Sequence, residues 1–367
     1  MKLLHIADLH LGKRVCEYPM MEDQRHILRE IADVVRDQGV QALLIAGDVY
    51  DRPVPPQEAT ELLSDFLCEI AALNVPVFMI AGNHDSAARL SFCAGLLQKQ
   101  GVYVTGVNEG EVLSVLLPDT DPAVAVHMIS YARPAALRPF LGETVASAED
   151  AMRAQLARID RNAARKNILL AHAFVQGGEA SDSEESIVGT VENVSTSVFE
   201  GFDYVALGHL HRPQTVGEGI RYAGSPLAYS FSEIGAAKSV TLVDITDEVR
   251  ITPISLHPLH EMREVRGTLA QLLDMPYSED YVRAVVTDED VAPDARITLR
   301  SVFPNLMRFA VENSKTVFEQ DVSDAQNVSN RAPLELFEEF YTQQNGTPPD
   351  EKRMAIMREL LGGEVSV

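Results

Sequence analysis

LLIAGDVYD, residues 43–51, decides how the rest of the chain is read. LLIAG has the length and apolar character of a buried strand, and it runs straight into a carboxylate, Asp48. Asp51 closes the stretch, and Gly47 marks a point where the backbone comes close to something else. A charge placed directly after a buried run is expensive unless it is paired or holds a metal. Many strands of α/β proteins end in Asp, so the stretch gains its meaning from repetition. Other apolar runs of the chain also end in metal-capable side chains.

Working outward, residues 1–100 alternate strand and helix three times. LLHIAD, QALLIAGD and VPVFMIAGNHD read as strands. MEDQRHILREIADVVRDQG places Ile27, Ile31, Val34 and Val35 at helical spacing. QEATELLSDFLCEIAALN, led by Pro55 and Pro56, carries Leu62, Phe66, Ile70 and Leu73 on one stripe, and SAARLSFCAGLLQKQG is read as a third helix. Such alternation predicts a parallel sheet with crossover helices, whose ligand crevice lies at the carboxyl ends of the strands. Residues 102–131 read as short antiparallel strands that begin a second sheet. A helix is expected over 148–166, then strands at NILLAHAF and FDYVALGHLH, and a hairpin from KSVTLVDIT and EVRITPISL. The expected fold class is therefore α/β: two sheets flanked by helices on both outer faces over 1–258, a small α+β capping unit over 259–315, and a helical tail over 330–367. DVSDAQNVSNRAP is read as the polar linker between the last two.

At 367 residues, two or three domains are expected. A 46% hydrophobic content and a mean hydropathy of −0.04 fit a soluble globular protein, and no apolar run approaches the roughly 18 residues of a spanning helix. MKLLHIADLH lacks the features of a secretory signal. The cysteines, Cys16, Cys68 and Cys93, form no CxxC pair and read as reduced thiols of a cytoplasmic protein, Cys68 and Cys93 as small buried hydrophobes on helical patterns. The formal net charge of −23 argues against a chain that grips nucleic acid unaided. Two divalent ions would leave it at about −19.

Five strand ends carry polar clusters: Asp8-Leu9-His10, Gly47-Asp48, Gly82-Asn83-His84-Asp85, Ala171-His172 and Gly208-His209-Leu210-His211. Side chains two apart on a strand point the same way, so Asp8 with His10, and His209 with His211, can each aim at one place. Carboxylate, imidazole and amide oxygen suit Mn2+ or Fe2+, with Zn2+ possible, and no thiolate set points to a structural zinc. Asp8, His10, Asp48, Asn83, His172, His209 and His211 over-supply one ion, whereas two ions bridged by Asp48 use them all. Two such ions about 3.5–4 Å apart are a device for hydrolysing phosphate esters. Any one of these motifs alone is commonplace: Asp-x-His is usually a surface pair, and a single histidine such as His172 is usually a core residue. Their order along the chain, each after an apolar strand, is what points to chemistry. Asp85 is read as the N-cap of the following SAARL run. His5 and His26 lack this context and read as structural or exposed.

DLH, GDVYD, GNHD, the isolated histidine and GHLH, in this order, resemble the calcineurin-like metallophosphoesterases. The longer wording HIADLHLGKR, LIAGDVYDRPVPP, IAGNHDS, GHLHRPQ and GSPLAYSFSE is similar to the SbcD family of nuclease subunits within them. The resemblance covers much of residues 1–232. It implies one ion on Asp8, His10, Asp48 and His211 and another on Asp48, Asn83, His172 and His209, with Mn2+ as the metal. It implies that His84 is not a ligand but the acid at the leaving group, oriented by Asp51. It also implies a homodimer assembled with an SbcC-type ATPase into a heterotetramer, 3′ to 5′ exonuclease action on duplex DNA ends, and endonuclease action on single strands and hairpins in DNA repair and recombination.

Lys13, Arg14, Arg52, Arg89 and Arg212 follow the motifs and can meet backbone phosphates. The acidic charge instead suits a phosphatase for a small phosphodiester or a phosphoprotein, and a partner-binding scaffold with a spent site is a third reading that the intact ligand set opposes. The residues beyond 258 favour the nuclease. Leu334, Phe337, Phe340 and Tyr341 fall on one helical face, and Ile356, Met357, Leu360 and Leu361 nearly so; on the SbcD resemblance these pieces dock on the ATPase's coiled coil. The acid-rich loop from Glu179 to Glu185 is read as solvated, with gating of phosphate entry as the alternative.

Overall fold

The computed structural model describes residues 1–362 except 118–119, 143, 163–164, 183, 185–192, 314–333, 335–336, 339–340 and 343–347. Three apolar runs that alternate with amphipathic helices become parallel strands. β1 (Lys2–Ile6) is followed by a two-residue ribbon, β2 (Arg14–Val15) with β3 (Tyr18–Pro19), and by helix α1 (Met21–Asp37). β4 (Ala42–Ile45), α2 (Gln57–Ala72), β5 (Val77–Ile80) and β6 (Val102–Thr105) come next. β1, β4, β5 and β6 pair in parallel, and β15 (Ser239–Ile245) with β16 (Val249–Ser255) adds an antiparallel hairpin to β1.

The second six-stranded sheet is built from β7 (Leu113–Leu117), β8 (Val124–Ile129), β9 (Lys166–His172), β12 (Tyr204–Gly208), β13 (Gln214–Gly217) and β14 (Ile220–Tyr222) in the order β13-β14-β12-β9-β8-β7. A short pair, β10 (Phe174–Val175) with β11 (Asn193–Val194), lies between. Strand alternation divides the core into layers. Leu3, Leu44, Phe78, Ile80 and Val243 face Val126, Met128, Ile168, Leu170, Tyr204 and Ala206 between the sheets. Leu4, Ile6, Leu43, Ile45, Val77 and Met79 face outward onto Ile27, Ile31 and Val35 of α1 and Leu62, Phe66 and Ile70 of α2. On the far side, Leu169, Val205 and Leu207 pack on Met152 and Leu156 of the helix Ala148–Leu156. The result is a helix–sheet–sheet–helix sandwich, as the sequence pattern predicts.

After Ser255 the chain makes a smaller sheet of three parallel strands, β17 (Met262–Gly267), β18 (Tyr281–Val286) and β19 (Leu306–Val311), with helices Leu269–Leu273 and Ala295–Leu299. Its own core is Val265, Leu272, Val282, Ala284, Val286, Leu299, Phe303 and Leu306. It is clamped to α1 by Asp23, which accepts from the Tyr281 hydroxyl at 2.6 Å and from the His260 backbone N–H at 3.0 Å. Tyr18 of the ribbon also donates to the Leu306 carbonyl at 3.1 Å.

Several expectations are corrected. Val102–Thr105 does not open the second sheet but completes the first, in parallel, because Val102 and Val104 are needed over the short helix Ala94–Leu97. The expected third helix is two short pieces, Ala87–Leu90 and Ala94–Leu97, broken where Cys93 takes a left-handed φ of 63°. The helix expected over 148–166 stops at Leu156, and the structure adds a helix at Pro134–Leu141 that the sequence pattern does not announce. Cys68 and Cys93 are exposed rather than buried, since α2 buries Ala59, Leu62, Leu63, Phe66 and Ile70 and turns Cys68 outward. The linker DVSDAQNVSNRAP, Phe340, and the side chains of Leu360 and Leu361 lie outside the described residues. A helix does occupy Glu351–Gly362, where Met354 is buried and Ile356 exposed. Among the described residues no helix is long and apolar enough to cross a membrane.

Phe78 is fully buried between the sheets and stacks on Tyr103 at 4.9 Å. We predict that Phe78→Ala costs about 3–5 kcal/mol. Guanidinium unfolding reads this out, and a loss below about 1 kcal/mol would contradict the packing.

Candidate metal centre

The carboxyl ends of β1, β4, β5, β9 and β12 meet at one edge of the sandwich. Each chain turns sharply there. Asp8, His10, Asp48 and His209 all have positive φ, at 53°, 45°, 49° and 112°. Non-glycine residues in this region cost free energy and persist only where the surroundings over-determine them. Here backbone bonds do so: the Asp8 N–H donates to the Gly47 carbonyl at 3.1 Å, and the N–H of His10 to the Asp48 carbonyl at 2.9 Å. Gln24 of α1 adds a side-chain bond to the His10 carbonyl at 2.8 Å. Asp8 and His10 therefore converge through a left-handed turn and not by the extended alternation expected of them. Gly47 (φ 87°) is the close approach that the sequence marks, because a Cβ there would stand 2.5 Å from His172 Nδ1.

The side chains close on one another. Ligand atoms of Asp8, His10 and His211 lie within 4.8 Å of each other, as do those of Asp8, Asp48 and His172, and those of His10, Asp48 and His84. His10 Nε2 and His211 Nε2 are 3.0 Å apart. Asn83 Oδ1 lies 2.9 Å from His172 Nε2 and 3.1 Å from His209 Nδ1. Asp48 Oδ2 stands 3.7 Å from His10 Nε2 and 3.5 Å from His172 Nε2, between the two groups. All seven residues proposed as ligands from the sequence are thus brought together, with His84 beside them.

The supporting bonds differ in part from expectation. His84 Nδ1 meets Asp51 at 3.1 Å, but at its backbone carbonyl; the Asp51 carboxylate is engaged by Lys13 at 2.7 Å. A carbonyl only accepts, so His84 carries its proton on Nδ1 and turns Nε2 to the site. Asp85 caps no helix. Its carboxylate accepts from the N–H groups of Val49, Tyr50 and Gly82 at 3.1, 2.9 and 2.9 Å, stapling the GDVYD turn to the GNHD turn. Glu184, in the acidic loop read as solvated, is buried and accepts from the His211 N–H at 2.6 Å; Ser183 and Glu185 lie outside the described residues. Glu233 and Lys238 are functional neighbours that sequence reasoning missed. Glu233 lies 3.6 Å from His211 Nδ1, and Lys238 Nζ joins Glu233 and the His211 carbonyl, the latter at 3.0 Å. An acid and a lysine five residues apart inside an otherwise apolar, turn-rich stretch was the available signal.

Electrostatics tests whether the donors fit cations. Burial, then the charge of Asp48, holds the Asp8 carboxyl well above its ordinary range. Burial lowers His10, with His211 and Lys13 pushing the same way; it also lowers His172, and brings His209 to about 3. Neutral imidazoles offer lone pairs, and adjacent buried carboxylates are relieved by cations. Among the described residues, Asp8 Oδ2 and His10 Nδ1 are buried with no hydrogen-bond partner. This oxygen- and nitrogen-only set fits divalent ions. Burial favours the protonated Glu233, but the bond from His211 and the charge of Lys238 outweigh it and lower it to about 2. It therefore stands as an anion behind His211, the arrangement that fixes a ligating imidazole.

The basic residues are less available than the sequence suggests. Lys13 is held by Asp51, and Arg212 by the Ser232 carbonyl at 3.2 Å and Glu179 at 3.7 Å. Arg52 is mostly exposed, 3.5 Å from Asp51. Of the remaining histidines, His5 is fully buried, 2.9 Å from the Tyr204 hydroxyl, and His26 meets the His257 carbonyl.

Comparison with known proteins adds two family matches. The calcineurin-like phosphoesterase family matches residues 1–213. SbcD_C, the type 5 capsule protein repressor C-terminal domain, matches residues 258–345. Among solved structures, a dimetal phosphatase from Danio rerio is 12% identical over 70% of this chain and 96% of that one, with a TM-score of 0.41. TT1561 of Thermus thermophilus is 11% identical over 69% and 98%, with a TM-score of 0.41. Yfce, a phosphoesterase from E. coli, is 15% identical over 71% and 100%, with a TM-score of 0.29.

We predict that Glu233→Gln weakens divalent-metal binding about 10- to 100-fold, because His211 loses its anionic support. Calorimetric titration measures it, and unchanged affinity in a folded variant would remove Glu233 from the site.

Proposed function

The chain belongs to the calcineurin-like phosphoesterase family, and from that premise we propose that it is the nuclease subunit of an SbcCD-type complex. Membership makes it a metal-dependent phosphoester hydrolase with a cluster of candidate metal-binding residues. The observation that carries the finer reading is the SbcD_C match at 258–345 behind the phosphoesterase match at 1–213. On this reading residues 1–258 form the nuclease domain, 259–315 a capping unit that meets DNA, and 330–367 the segment that docks an SbcC-type ATPase. The assembly is a cytoplasmic heterotetramer built on a homodimer of this subunit and acts in DNA repair and recombination. Its substrates are duplex ends, single strands and hairpins.

The residues take these roles. Asp8, His10 and His211 would hold one ion and Asn83, His172 and His209 another, with Asp48 shared between them. Two divalent ions held there, Mn2+ by this reading, would supply Lewis-acid polarisation of the phosphoester and activation of water. His84, its Nδ1 proton committed to the Asp51 carbonyl, is set beside Asp48 and His10 to serve the leaving oxygen with Nε2. For proton donation Nε2 must itself carry a proton. Asp51 positions it through the backbone and keeps Lys13 against the site. Glu233 and Lys238 hold His211, and Asp85 holds the two turns on either side of Asp48.

A second reading, hydrolysis of a small phosphodiester or phosphoprotein, is favoured by the −23 charge and by the engagement of Lys13 and Arg212 in internal pairs. Cleavage of end-labelled duplex DNA in Mn2+, Mg2+ and EDTA separates the two. Shortening in Mn2+, abolished by EDTA and reduced about 10²- to 10⁴-fold in His84→Ala, is the expected result. Hydrolysis of an aryl phosphodiester without DNA cleavage, with or without an SbcC-type ATPase, selects the second reading. The ATPase should also tighten duplex binding, and equal affinity with and without it would count against the complex.

A further inference from the structure

The outer face of the second sheet carries a serine, histidine and asparagine in series, away from the metal centre. Ser114 lies on the edge strand β7, directly opposite His127 on β8. Its Oγ is 2.7 Å from His127 Nδ1. His127 Nε2 is in turn 3.3 Å from Asn167 Oδ1 on β9. The amide of Asn167 is fixed in orientation, because its Nδ2 donates to the carbonyls of Arg165 at 3.0 Å and Asn162 at 3.3 Å. Its Oδ1 therefore faces His127, which must carry its proton on Nε2. Nδ1 is left as the acceptor for the Ser114 hydroxyl. These are the relations of a nucleophile, its base and an orienting group.

We propose that Ser114 is a reactive nucleophile that takes an acyl group from an apolar carboxylic ester. His127 is fully buried while Ser114 is exposed. Burial lowers the pKa of His127, and Arg165 and Arg161 push the same way, against the Asn167 bond and the charge of Asp160; the ring is thus a neutral base. Phe202 closes the ring's other side, at 5.9 Å. Leu116, two residues along the strand and 57% exposed, shares the Ser114 face and offers apolar footing for an acyl chain. An antiparallel edge strand such as β7 leaves alternate backbone N–H groups without a strand partner, the kind of donor that stabilises a developing oxyanion. In the step, Ser114 Oγ bonds to the acyl carbon as its proton passes to His127 Nδ1. The carbon–oxygen bond to the leaving alcohol breaks, and the departing oxygen takes that proton, giving a serine ester and a free alcohol.

The test treats the full chain, in EDTA to silence metal-dependent hydrolysis, with 4-nitrophenyl butyrate, and follows nitrophenolate release and peptide masses. One butyryl adduct on Ser114 is expected. It should be absent from Ser114→Ala and form about 10²-fold more slowly in His127→Gln. An adduct that persists in Ser114→Ala, no adduct in the wild type, or an unchanged rate in folded His127→Gln overturns the proposal. Should His127→Gln fail to fold, urea-unfolded wild type takes its place, and acylation of Ser114 at the same rate folded and unfolded overturns it equally.

Discussion

Two carboxylates, Asp8 and Asp48, are held almost without solvent contact at the ends of β1 and β4. Removing such charges from water costs several kcal/mol each unless donors or cations compensate. The chain supplies part of the compensation with backbone: the His209 N–H meets Asp8 Oδ1 and the His84 N–H meets Asp48 Oδ1, both at 2.9 Å. Each of those N–H groups belongs to a residue of another motif. The five strand ends are therefore mutually dependent. None of the left-handed turns would hold its conformation without the partner strand that receives it. Gly208 shows how tight the fit is, since a Cβ on it would stand 1.9 Å from the Ala46 carbonyl.

What remains uncompensated defines the chemistry. Asp8 Oδ2 has no hydrogen-bond partner among the described residues, and the imidazoles around it are kept neutral by burial. A protein that needed only stability would fill this space with apolar side chains. Instead one contact sets acceptor against acceptor: His172 donates its Nδ1 proton to the Ala46 carbonyl at 2.8 Å, so its Nε2 lone pair faces Asn83 Oδ1 at 2.9 Å, and a cation satisfies both at once.

The strands and the clustered side chains were legible because both are encoded by local pattern: apolar runs of strand length, each ending in a polar group. The left-handed turns were not, because even Asp and His, which take positive φ more readily than most residues, seldom do so, and here long-range backbone bonds impose it at Asp8, His10 and Asp48. Asp85 misled for the same reason. Its position before a short helix suggests a cap, but two N–H groups from the remote GDVYD turn and that of Gly82 in its own turn compete for it and win. Asp51 orients His84 with its carbonyl, an atom every residue has, so no side-chain pattern could reveal it. Helix lengths failed where tertiary contacts cut a good periodic pattern short, at Cys93 and after Leu156. Glu233 and Lys238 escaped because a charge pair in a loop is ordinarily solvated, and only the fold shows that this one is buried against His211.

The small C-terminal sheet and the metal cluster share the first turn of α1. Asp23 holds Tyr281 and His260 of the small sheet, while its neighbour Gln24 holds the His10 carbonyl, the Gly12 N–H and the Tyr229 hydroxyl. Tyr229 in turn donates to the Leu9 carbonyl at 2.5 Å and stands edge-on to His10 and His211. A displacement of the small sheet must therefore either break the bonds to Asp23 or move the start of α1. The second course would carry Gln24 with it, and the His10 turn is held by Gln24 in a conformation it would not keep alone.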